Sequence, residues 1–507
     1  MNTAISGDTA PDSSRARRRG IAYLQATVAF FLALRLAYAI TVPPNGDEAY
    51  YWLWGGHLQW SYFDHSPMVG WLSAFGRAVF GWTPAGLHLP AILTFLVLVW
   101  SLHKAARLFA PSDPERYFWL TLATISASPL LSVLTTLNYP DHALICFSAL
   151  TLLYLGRYLT GALRNVEDYR HLYFGAFFLG LAGLSKYNAV FIPAALVVVL
   201  IAVPALRRLF RSPHLYLAGT LTFAMTLPIF IWNAQHRFAS LQYHGSTRFD
   251  VTGESIDLRS LLLVSLVSVL VFSPFLVPAL VRFLFGKTPA GPASGYVLLG
   301  RWTALIGFLF FLPLALWGGS SRQVSVHWIV LSFLPLMLVI PLYLRSRLLL
   351  ALHLLWGGLI LTLATIYYLF APLPTDALGI RDGEATVTFG HEQVAAAVHR
   401  QAQAHGAELF GSTNYPRAAR LAFAMGTQDG LIDFERRADQ IQSWNGGPED
   451  AGKDAIIVIP SGTTHGPFAG RFESVELLEV VQAIRFGSPL QAYDLLLGRG
   501  YKPVQAP

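Results

Sequence analysis

PPNGDEAYYWLWGGHLQWSYFDHSP, residues 43–67, follows directly on an apolar run at 21–42. That run is long enough to cross a bilayer, and Arg15-Ala16-Arg17-Arg18-Arg19 precedes it. A basic flank, a spanning run and then an aromatic stretch carrying an acidic pair predict a first transmembrane helix with its N-terminus inside. The stretch itself begins an outer loop over 43–87. Trp and Tyr on short helical pieces of such a loop are expected to lie flat as an interfacial belt. Ala37-Tyr38-Ala39 resembles a signal-peptide cleavage site, but the run is long for that role and contains Arg35, so an uncleaved helix is expected. Residues 1–19 read as a disordered cytoplasmic tail.

The composition agrees. Of 507 residues, 54% are hydrophobic and 13% charged, whereas a soluble protein carries about a quarter charged. Further apolar stretches near 88–110, 116–137, 141–160, 172–185, 187–206, 214–233, 258–284, 301–318, 324–344 and 348–371 bring the expected spans to eleven. With the N-terminus inside, the inner segments hold eighteen Lys and Arg and the outer loops to residue 371 hold six. This is the positive-inside pattern. It accounts for the net charge of +7 without a nucleic-acid partner. Cys146 is the single cysteine and forms no internal disulfide. Residues 372–507 carry sixteen of the twenty-nine acids and read as a small α/β domain outside the cytoplasm. Its expected elements are a helix at 392–405 and strands at 408–411, 454–460 and within 472–485 and 490–497. The fold class is therefore mainly α, a polytopic bundle over 20–371 with a small C-terminal α/β domain.

No acid falls in the middle of an expected span, which disfavours an ion-coupled transporter. The outer loops hold the candidates. Asp47-Glu48 after Pro43-Pro44-Asn45-Gly46 sits at a helix start, where the dipole favours carboxylate, and capping explains the pair as well as chemistry does. Asp141 in Asn138-Tyr139-Pro140-Asp141-His142 is open to the same ordinary reading. Lys186 lies at a tight outer turn, where a snorkelling lysine is equally expected. His236, Arg237, His244 and Arg248 share one outer loop, and Arg322 lies in another. Cations could hold a phosphate and a carboxylate could deprotonate a hydroxyl, which suits transfer from a lipid-linked phosphosugar.

Asp47-Glu48-Ala49-Tyr50-Tyr51-Trp52 and Trp60-Ser61-Tyr62-Phe63-Asp64-His65-Ser66-Pro67 resemble the first periplasmic loop of bacterial GT-C glycosyltransferases. The group they are most similar to is the protein O-mannosyltransferase / aminoarabinose transferase (ArnT-like) superfamily. Tyr139-Pro140-Asp141, Gly183 to Tyr187, Trp232-Asn233 with His236, His327-Trp328 and the segments 418–423 and 454–458 extend the resemblance over nearly the whole chain. It implies an inverting transferase that uses an undecaprenyl-phosphate sugar in the bacterial inner membrane. The acceptor it implies is periplasmic, foremost lipopolysaccharide lipid A or core, with protein O-mannosylation as the second choice and a lipid flippase as the reading from another class. By the same resemblance Asp47, Glu48 and Asp141 are the catalytic acids. Tyr62, His65, Lys186, Arg237 and Arg322 would hold the donor phosphate. Tyr50, Tyr51, Asp64, His236 and His327 would contact substrate. Aminoarabinose transferases carry lysine where His65 stands, so the phosphate clamp differs here. The reading expects no metal or other cofactor, since no compact His/Cys cluster or Asp-x-Asp pair stands out. It also expects membrane lipids around a monomer.

Overall fold

The computed structural model describes residues 10–248, 256–317, 325–435, 439–464, 468 and 470–503. Helices start where proline and a cap permit it. Thr83 caps α4 (Pro84–Phe109) by accepting from the Gly86 N–H at 3.1 Å, and Asp113 caps α5 (Pro114–Ala127). Proline stands at the first helical position of both, and again in α6 (Pro129–Leu134), α7 (Pro140–Ala162) and α10 (Pro213–Gln235). There its missing N–H costs nothing. Before them come α1 (Ala10–Thr41), α2 (Gly46–Trp54) and α3 (Met68–Phe80); α8 (Tyr169–Ser185) and α9 (Phe191–Ala202) lie between α7 and α10.

Among the described residues, six helices are long and apolar enough to cross a membrane, or eight if each of two sharply bent pairs is one span. The other stretches expected to span are broken or short: Pro129 separates α5 from α6, α8 has 17 residues, and the apolar helix Val326–Leu338 is shorter still. The tail expectation needs correction. Residues 15–19 are not disordered but form early turns of α1, and Arg17 pairs with Asp113 and Glu115 at the start of α5. No proline separates the arginines from the apolar run, and the lone Gly20 between them costs only about 1 kcal/mol, so the helix propagates through them.

The C-terminal region forms one five-stranded mixed sheet of order β2-β1-β3-β5-β4. The strands are β1 (Leu409–Ser412), β2 (Leu431–Asp433), β3 (Ala455–Pro460), β4 (Ser474–Arg485) and β5 (Ser488–Arg499). β1 runs parallel to β2 and β3, while β5 is antiparallel to β3 and β4. Helices His391–His405 and Tyr415–Met425 accompany the sheet.

The aromatic first loop departs from the interfacial-belt expectation. Tyr50, Trp52, Trp54 and Tyr62 are buried at 2% exposure or less, in one apolar core with Val394, Ala418, Phe423, Ile456 and Leu495 of the C-terminal region. The Trp52 ring meets Phe423 edge-on at 6.0 Å, and the Tyr50 ring lies 4.7 Å from that of Tyr415. Protein, rather than lipid headgroups, covers this apolar face.

Candidate active site

The site is built from the first turn of α2. Asn45 Oδ1 accepts from the Glu48 N–H at 3.0 Å, and Glu48 Oε2 accepts from the Asn45 N–H at 3.3 Å. This reciprocal pair is a capping box. The other Glu48 oxygen accepts from the Asn138 N–H at 2.9 Å and lies 3.2 Å from His88 Nε2. Glu48 is wholly buried. Its carboxylate therefore joins α2, α4 and the turn before α7. The Tyr139 hydroxyl donates to Asn45 Oδ1 at 3.2 Å, a second tie between the two acidic motifs.

Asp47 points elsewhere. It lines a cavity of about 760 Å³ and accepts a hydrogen bond from the Tyr415 hydroxyl at 3.0 Å. Tyr415 opens a C-terminal helix whose next residue, Pro416, sits on the start of α2. A β-carbon at Gly46 would stand 2.4 Å from that of Pro416, so only glycine admits this approach. Toward the bundle the cavity wall is apolar, with Leu130, Leu134 and Leu361. The titratable side chains on its lining include Asp47, Glu384, Arg417 and His327. Partial burial, Asp382 and Asp47 raise the Glu384 carboxyl above its ordinary range. Ser325 Oγ lies 2.7 Å from His327 Nδ1. Glu384, Tyr415 and Arg417 were not singled out in the sequence. The sequence around Tyr415 and Arg417 offers a helix start, Asn414 before Pro416, which indicates a cap and no chemistry.

Other sequence candidates lie apart from this cavity. Lys186 Nζ donates to both oxygens of Asp141 at 2.8 and 2.9 Å, and both side chains are buried. Removing either partner would leave the other charge buried and unanswered, so Asp141 and Lys186 tie α7 to the end of α8, and neither lines this cavity. Tyr62 is a structural pin: its hydroxyl bonds to the carbonyls of Trp54 and His57, each at 3.1 Å, and its ring stacks on Trp54. Gly70 makes room for that ring, since a β-carbon there would be 2.5 Å from the hydroxyl. The Tyr50 hydroxyl donates to Asp64 and accepts from the Gln440 N–H at 2.8 Å, drawing 439–443 onto the loop. His65 is buried, with Tyr51 and His244 rings 5.7 and 6.1 Å away. His236 stacks on Trp232 at 4.0 Å, and Arg237 is exposed in a left-handed backbone conformation, φ 53°. Arg322 lies outside the described residues. Of the thirteen sequence candidates, the cavity thus gathers Asp47 and His327.

Among the described residues, one group of three carboxylates, Asp433, Glu435 and Asp439, comes close enough together to hold a cation. Burial, then Asp439, pushes the Asp433 carboxyl well above the usual carboxylate range.

A bundle of apolar helices capped by a small α/β domain, with an acid on the cavity between them, defines the class: a polytopic membrane protein with its candidate site under the C-terminal domain. The model of the dolichyl-phosphate-mannose-protein mannosyltransferase family matches residues 64–232. The lipid A galacturonosyltransferase RgtD of Rhizobium johnstonii is 29% identical over 196 residues, 38% of each chain, so the match spans well under half of that relative. ArnT from Cupriavidus metallidurans has the same fold in its apo state (TM-score 0.65, 15% identity) and bound to undecaprenyl phosphate (0.66, 16%). Each comparison covers 94% of this chain and 98% of that one. By fold the chain is therefore of the ArnT-like GT-C type.

Proposed function

We propose that this protein moves a sugar from a polyprenyl-phosphate donor to the lipid A or core of lipopolysaccharide at the periplasmic face of the bacterial inner membrane. The observation that carries the reading is Asp47. This carboxylate is held by the capped start of α2 and by Tyr415, on a cavity that also carries Arg417 and His327 and is otherwise lined largely by apolar side chains of the helix bundle. Such a cavity suits a lipid with a charged sugar-phosphate head. Support comes from the lipid A enzyme among the relatives and from undecaprenyl phosphate in the similar fold. The charge asymmetry supports an inside N-terminus, and the C-terminal domain packs on the loop that follows the first span, which gives it that loop's periplasmic side.

In this scheme Asp47 accepts the proton of the acceptor hydroxyl as its oxygen attacks the anomeric carbon from the face opposite the phosphate. The carbon–oxygen bond to phosphate breaks, its electron pair leaves on the polyprenyl phosphate, and the configuration inverts. The departing dianion needs positive charge more than a proton, and Arg417 stands on the cavity wall to supply it, with the His327 ring on the same lining able to donate a hydrogen bond. No step calls for a metal. A second cavity of about 720 Å³, between α8, α9 and α10, is lined almost wholly by apolar residues. It offers a separate path for a lipid tail.

The match to the mannosyltransferase family favours protein O-mannosylation as the second reading. Purified protein is incubated with undecaprenyl-phosphate hexoses and hexuronic acids, and with lipid A, core oligosaccharide or a serine-rich peptide. A glycosylated lipid A or core mass supports the first reading. A modified peptide with untouched lipid supports the second. Lipid movement between leaflets with no product from any acceptor contradicts both.

A further inference from the structure

We propose that Arg35, inside the first membrane span, is a phosphate-binding residue for a lipid substrate of this cavity. The inference rests on the reading of the Asp47 cavity as a lipid-substrate site and adds a residue that reading does not use. Arg35 is 7% exposed, six residues before the end of α1, so it lies roughly 9 Å below the helix end. An arginine in a span is costly unless something answers its charge. Here the answer is incomplete. Nη1 donates to the Thr135 carbonyl at 3.3 Å, Nη2 donates to Thr135 Oγ1 at 2.7 Å, and the guanidinium lies 3.7 Å from the centre of the Phe95 ring. Among the described residues no carboxylate pairs with it. A guanidinium carries five N–H donors, and Thr135 takes two.

The remaining face of Arg35 opens on a chamber of about 110 Å³ shared with Tyr38, Ser132 and Thr136. That volume is well above the share of a single water, about 30 Å³. Asn45, Val133, Leu137, Leu361, Ala364 and Tyr368 line both this chamber and the Asp47 cavity, so one floors the other. A planar fork of donors, desolvated and at headgroup depth, matches a tetrahedral oxyanion. Lipid A and the polyprenyl-phosphate donor both present that group, and the experiment separates them.

Full-length protein in phosphatidylcholine nanodiscs is titrated with undecaprenyl phosphate and, separately, with lipid A. The titrations use wild type, Arg35→Met, Arg35→Lys, and Ser132→Leu, which fills the chamber and leaves the arginine in place. The expected result is at least tenfold weaker binding of one lipid in Arg35→Met and in Ser132→Leu, with Arg35→Lys, which keeps the charge and loses the fork, between Arg35→Met and wild type. Loss confined to undecaprenyl phosphate assigns the donor, and loss confined to lipid A assigns the acceptor. If Arg35→Met fails to fold, Ser132→Leu decides alone. Unchanged affinity for both lipids in the folded variants overturns the proposal and leaves the role of Asp47 untouched. Loss of Asp47 dependence in the transfer assay would instead remove the reading beneath it.

Discussion

Asp47 and Glu48 are neighbours on one helical turn, and their environments separate their roles. Glu48 spends both oxygens on the Asn45 cap, the Asn138 amide and His88, while Asp47 faces the cavity and Tyr415. Glu48→Gln is expected to lower stability by about 1–3 kcal/mol, the cost of leaving buried partners imperfectly paired. It should also reduce kcat, because the scaffold under Asp47 loosens; melting and rate curves on one preparation check both. Tyr415→Phe removes one hydrogen bond to the base and is expected to reduce kcat about 3–10-fold with KM and melting temperature little changed. An equal loss in kcat/KM through KM alone would place Tyr415 in substrate binding instead. The cap on Glu48 was legible, because Asn45 and Glu48 stand at capping-box spacing. Its ties to His88 and Asn138 were not, since contacts across 40 and 90 positions leave no local pattern. Lys186 shows the same limit. Its outer-turn position suits a phosphate as well as an ion pair, and only the fold brings Asp141 to it.

At the level of elements, α2 is the piece whose surroundings the sequence could not specify. Its Tyr and Trp content demands an apolar cover, and a headgroup layer and a protein domain satisfy that demand equally well. The cover is the helix Tyr415–Met425 and the sheet behind it. Trp52→Ala is expected to cost about 3–5 kcal/mol, as for other large-to-small changes in a packed core. It should release the C-terminal region from the loop, seen as new protease cleavage between 372 and 415; an unchanged cleavage pattern would indicate that the loop is held by lipid. Strands β1, β3, β4 and β5 were readable from their apolar runs. β2, with three residues, is too short to carry an alternation. The first helix was read as starting after the arginines, yet it runs through them because nothing in the basic segment breaks it.

For the molecule as a whole, the C-terminal domain supplies part of the cavity wall through Glu384 and Arg417 and holds Asp47 through Tyr415. Its own stability carries a pH signature. Burial and Asp439 hold Asp433 protonated above the usual carboxylate range, with Glu435 also facing it. A raised carboxyl favours the folded state while both states are protonated, and that contribution is lost as pH rises from about 4. Asp433→Asn is therefore expected to raise the melting temperature at pH 8, by about 1–2 kcal/mol of stability, and to match wild type near pH 4. A variant less stable than wild type at pH 8 would mean that the charged form is the one the fold requires, as a bound cation would make it.

The central claim is that the Asp47 carboxylate, set between the first loop and the C-terminal domain, is the base of a sugar transfer from polyprenyl phosphate. The direct measurement is single-turnover transfer by Asp47→Asn, with donor and acceptor saturating and melting temperature recorded on the same sample. The account predicts at least a 100-fold slower transfer with melting temperature and undecaprenyl-phosphate binding as in wild type. Transfer within a few-fold of wild type by a folded Asp47→Asn protein would contradict it.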